Sequence, residues 1–68
     1  MTEDETRELR ARLERLRLEH RDLDDVLARL SEQASYDQLL MQRLKKRKLG
    51  LKDQILSLES ALVPNIIA

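Results

Sequence analysis

The 68-residue chain has no cysteine, tryptophan or phenylalanine, and only one tyrosine, one glycine and one proline. Without cysteine no disulfide can form, and a single histidine excludes the Cys/His zinc arrangements as well. Those absences matter at this size, because below roughly 70–80 residues one core rarely supplies more than about 3–5 kcal/mol unaided. Oligomerisation is the remaining route to added stability. With few aromatics and 38% charged residues, the composition suits long exposed helices and poorly suits strands. An excess of one charge sign is also lacking. The 13 basic and 13 acidic side chains cancel, so no net field steers the molecule toward polyanions, and an electrostatic partner must read a local patch. No run approaches the ~18 apolar residues of a membrane span. The opening MTEDETRE is acidic where a secretory signal is basic and then apolar, so a soluble, cytoplasmic protein without membrane insertion is expected.

What is present is leucine at regular intervals. Leu9, Leu13, Leu16, His20, Leu23, Leu27 and Leu30 alternate steps of four and three, the seam of a heptad helix with one polar member. Met41, Leu44, Lys48, Leu51, Ile55, Leu58 and Leu62 form a second seam, again with one polar member. Thr2 and Glu5 have capping-box spacing, and Glu3, Asp4 and Glu5 place negative charge at the positive end of the helix dipole. SEQASYDQ interrupts the pattern, and Ser35 with Gln38 has the spacing of a candidate second capping box. Pro64 lacks a backbone N–H and restricts Val63, so the second helix is expected to stop there. The pattern predicts an all-α, antiparallel two-helix hairpin, coiled-coil-like and associating into a helical bundle. Its parts are a helix over about 3–31, a turn over 32–36, a helix over about 37–62 and a tail at 63–68.

A short turn pairs the seams end to end, from Leu9 with Leu62, through His20 with Leu51 and Leu23 with Lys48, to Leu30 with Met41. This register brings Asp22, Asp24 and Asp25 beside Lys45, Lys46, Arg47 and Lys48. Residues 22–37 carry one arginine against five acids, and residues 38–52 carry six bases and no acid. The basic run RLKKRKLGLK is therefore expected to be answered from across the hairpin. Exposed pairs contribute only about 0–1 kcal/mol each, but a shifted register sets like charges together, so the pattern specifies alignment more than it stabilises.

Some apolar residues lie outside the seams. Leu49, Leu56 and Val63 recur at intervals of seven, and Leu18, Val26 and Leu40 stand apart from the first line. A single hairpin cannot bury them all. They are the candidate interaction surface, for a second copy in the first place and for an unidentified protein partner in the second; Leu18 and Val26 are the lesser candidates. Gly50 costs a helix about 1 kcal/mol relative to alanine. It is either a tolerated surface glycine or a gap that admits a neighbouring helix. The end VPNIIA either folds back on its own bundle, frays, or docks on another protein.

The residues give little support to chemistry. His20 and Asp24 are one turn apart with Glu19 adjacent, but no third converging ligand completes a metal site. His20 and Lys48 read instead as polar seam residues that set register, with Asp22, Asp24, Asp25, Lys45 and Lys46 around them. Both charged at low pH, His20 and Lys48 would repel and make assembly pH-sensitive. No phosphate-binding glycine loop, nucleophile elbow or Ser/His/Asp set occurs, so neither catalytic residues nor a cofactor are expected. Nucleic-acid binding through segment 43–52 is the alternative function. Against it, the bases, Arg7, Arg10 and Arg12 among them, are not concentrated on one face, and only Tyr36 could stack on a base.

LRLEHRDLDDVLARL at 16–30 and YDQLLMQRLKKRKLGLKDQILSLE at 36–59 together resemble the YdcH family of small bacterial proteins. Glu19-His20 with Leu23-Asp24, then RLKKRKL and LKDQI, carry the likeness. The resemblance implies a cytoplasmic helical hairpin of about this length and brings no catalytic residues. His20, Asp24, Lys45, Lys46, Lys48, Lys52 and Asp53 match the family's polar pattern.

Overall fold

The structure, a computed structural model, describes residues 2–33, 35 and 37–62. Tyr36, Val63 and the tail 64–68 lie outside them, as do the roles anticipated for those residues. Two helices are present, α1 over Glu3–Ser31 and α2 over Gln38–Leu62, packed against each other as an all-α hairpin. The molecule is elongated, 50 × 27 × 15 Å, with a radius of gyration of 15.6 Å, against about 11 Å for a compact domain of this length.

Each end of α1 is held by its own sequence. The Thr2 side chain accepts from the Glu5 backbone N–H at 3.1 Å, and the Glu5 carboxylate accepts from the Thr2 N–H and hydroxyl at 3.4 and 3.0 Å. This closes the capping box and satisfies otherwise unpaired donors of the first turn. At the other end the Glu32 and Gln33 N–H groups donate to the carbonyls of Arg29 and Leu30 at 3.3 and 3.2 Å, tightening the last turn.

The start of α2 differs from the expected Ser35 cap. Asp37 occupies that position, its Oδ1 accepting from the N–H groups of Leu39 at 3.0 Å and Leu40 at 3.1 Å. Its carbonyl accepts the first bond of the helix, from Met41 at 3.0 Å. A carboxylate at this point also adds negative charge at the helix dipole's positive end, which a serine cannot do.

The helices meet along the two leucine seams. All fourteen seam residues are buried or half-buried, and among the described residues only Thr6, Asp24, Gly50 and Glu59 join them. Among the described residues four side chains are buried: Leu13, Leu27, Met41 and Leu51. The core among the described residues is thus a single line of contacts between two rods, without a second layer.

Candidate interaction surfaces

Seam geometry assigns the flanking charges. Arg17 on α1 reaches Glu59 on α2 at 2.7 Å while holding Glu14 of its own helix at 2.9 Å. On the opposite flank Arg47 reaches Glu19 at 3.5 Å. Lys48, at a seam position, donates to Asp24 Oδ1. These three cross-hairpin pairs fall on either side of the expected register. The hydrogen bond from Lys48 holds the Asp24 carboxyl below the usual carboxylate range, aided by the charges of Lys48 and His20. The hydrogen bond to Glu59 likewise raises Arg17 above its ordinary value.

The neutralisation is therefore narrower than the charge blocks suggest. Asp24 meets Lys48, but among the described residues Asp22, Asp25, Lys45 and Lys46 form no ion pair within 4.0 Å. Glu19 and Glu59 take up much of the part foreseen for the aspartates. Their spacing from the seam was the available signal: each lies one position off it, where side chains of antiparallel helices reach across.

His20 faces the same cluster. Its Nδ1 lies 3.6 Å from Asp24 Oδ2, so the carboxylate stands against both seam bases and offsets a direct His20–Lys48 repulsion. The other ring nitrogen, Nε2, is buried without a hydrogen-bond partner among the described residues. A buried polar atom left unpaired costs about 1–3 kcal/mol, so histidine is a poor choice for this position on stability grounds alone. No group of three or more His, Asp or Glu among the described residues is arranged to hold a metal ion.

Leu49 and Leu56 are 63% and 54% exposed and line one open groove of about 520 Å³ with Ile55, His20, Lys48 and Lys52. Leu18 is 57% exposed and Val26 43%, but neither lines that groove. Of the four apolar candidates among the described residues, the structure thus brings together two, and Val63 lies outside those residues. Leu39, 58% exposed beside Leu40, is a further exposed leucine that heptad reading passed over, because it adjoins the seam residue Met41 in a short apolar run. No helix is long and apolar enough among the described residues to cross a membrane.

Fold and surfaces together define a small all-α hairpin protein whose exposed features are leucines and charges on two helical rods. Residues 13–59 match the family model described as Protein of unknown function (DUF465), and the chain belongs to that family, which is the YdcH family. No curated protein and no solved structure matches the chain.

Proposed function

We propose that the protein is a non-enzymatic, self-associating interaction module of the cytoplasm, in which two hairpins appose the face of α2 that carries Leu49 and Leu56. The observation that carries this reading is the pairing of these two leucines, two turns apart on one face and more than half exposed, with a core of four buried side chains among the described residues. A hairpin is half of a helical bundle, and a second copy supplies the missing layer. The groove beside the leucines extends the apolar surface to Ile55, with His20 also on its wall. In the same reading His20, Asp24 and Lys48 fix the alignment of the helices, with Asp22, Asp25, Lys45 and Lys46 disfavouring shifted registers by like-charge contact. A second copy ranks ahead of a foreign protein because the feature is short and an identical one is always available on the next molecule.

Sedimentation equilibrium over a range of concentrations tests this. The wild-type chain should show a mass rising above the 8.0 kDa monomer. Leu49→Gln with Leu56→Gln should weaken association by at least about tenfold for each leucine removed, with helical circular dichroism retained. Leu18→Gln should leave association unchanged. A wild-type protein that stays monomeric throughout, or a double variant that associates as well as the wild type, overturns the proposal.

A further inference from the structure

A second face of α2 points to a different kind of partner. Six bases and no acid occur between residues 38 and 52. The hairpin's ion pairs engage two of them, Lys48 directly and Arg47 at 3.5 Å. Arg43, Lys45, Lys46 and Lys52 form no ion pair within 4.0 Å among the described residues. The positive charge of this segment is largely uncompensated, although the whole molecule is neutral.

Part of that charge lines an open groove. Arg43, Lys46 and Arg47 follow one another at helical spacings of three and four, and Gly50 and Gln54 continue the same face. These residues line a hollow of about 560 Å³ on the opposite flank of the hairpin from Arg17 and Glu59. Gly50 is part of its lining, and a Cβ there would meet nothing within 4 Å. The missing side chain keeps the hollow open between the bases. Among the described residues Glu19, already facing Arg47, is the one acid on its wall.

We infer that this hollow binds the phosphate backbone of nucleic acid. Two guanidinium forks and an ammonium within about one helical turn can contact about three neighbouring phosphates, the Arg groups bidentately. A protein helix suits the site less well, because helix-in-groove recognition needs apolar pockets for anchors at successive turns. Among the described residues the leucines on the wall are Leu16 and Leu51, and Leu51 is 4% exposed and committed to the core. An anionic membrane is disfavoured for the same reason, since an interfacial helix buries an apolar face beneath its charges. No aromatic residue lies in α2, so bases find no stacking platform there and binding is indifferent to sequence. This inference goes beyond self-association and does not depend on it, because the hollow is complete within one hairpin.

Fluorescence anisotropy of the full chain with labelled single-stranded RNA, single-stranded DNA and duplex DNA tests it. With about three phosphates engaged, the log–log salt slope should be about −2 for single strands and −2.7 for duplex, a loss of roughly 20- to 40-fold between about 50 and 200 mM salt. Arg43→Gln with Lys46→Gln removes two contacts without touching a hairpin ion pair, so affinity should fall at least about tenfold and the slope should approach −0.7 to −0.9. Gly50→Leu fills the hollow and should weaken binding severalfold with helix content unchanged. Arg7→Gln with Arg10→Gln, an equal change of charge on α1, should leave affinity within about twofold and the slope unaltered. Three results overturn the inference: no anisotropy change at about 50 mM salt with protein at about 100 μM; equal losses in the α1 and α2 double variants; or equal affinity for polyglutamate or anionic vesicles, which would assign the site to an acidic protein or a membrane.

Discussion

Gly50 is the residue whose identity is hardest to justify by helix physics. It sits in mid-helix, half-buried, with helical backbone and no positive φ to require it. Glycine there is destabilising by about 1 kcal/mol relative to alanine, and a Cβ would enter open space. Gly50→Ala should therefore raise stability by about 1 kcal/mol, or roughly 4–8 °C in Tm for a domain of this size, measured by circular dichroism melts at one fixed concentration. A lower Tm in the variant would place another chain against this face and count against an open hollow. His20 presents the same tension, with one nitrogen spent on Asp24 and the other unpaired. Both residues sit where stability alone would select something else, which is where interaction roles leave their mark.

At the scale of the helices, local capping decides where α2 begins. Asp37 bonds two backbone N–H groups, whereas no bond from the Ser35 side chain to α2 is present. Asp37→Ala should cost about 1 kcal/mol and Ser35→Ala close to nothing, read from urea denaturation, with the loss for Asp37 accompanied by fraying of the first turn of α2 in hydrogen exchange. Equal effects of the two substitutions would return the cap to Ser35. The example shows what was legible beforehand. The seams were, because a strict alternation of three and four leaves one helical face and every member lies at or near the interface. The α2 cap was ambiguous, since Ser35 and Asp37 are both good cap residues and only the first closed turn selects between them. The partners of the charges were less legible still. Antiparallel register brings Asp22, Asp24 and Asp25 to the right level of the hairpin, but which carboxylate touches a base depends on its angle around the helix. That angle favours Glu19, Asp24 and Glu59.

At the scale of the molecule, the two helices are joined by ion pairs that all depend on carboxylates. Asp24 carries the sign of the resulting pH dependence. Its folded value is lowered by the Lys48 hydrogen bond, so its contribution is fully present above the ordinary carboxylate pKa of about 3.9 and is lost as pH falls through the depressed value. Protonation of the remaining acids adds a second effect in the same direction. The 13 acids cease to balance 13 Lys and Arg, and six of those bases are concentrated between residues 38 and 52, so the neutral molecule becomes a repelling cation. The Tm should therefore fall as the pH drops below about 4. Asp24→Asn should lower Tm at neutral pH and reduce the further fall in acid, because one of the groups that titrates is already gone. Since Asp24 and Lys48 are both partly exposed, about 1 M salt should narrow the difference between variant and wild type at neutral pH by screening the pair. A variant whose Tm follows the wild-type curve at every pH would show that the Asp24–Lys48 pair does not join the helices, and would leave their alignment to the leucine seams alone.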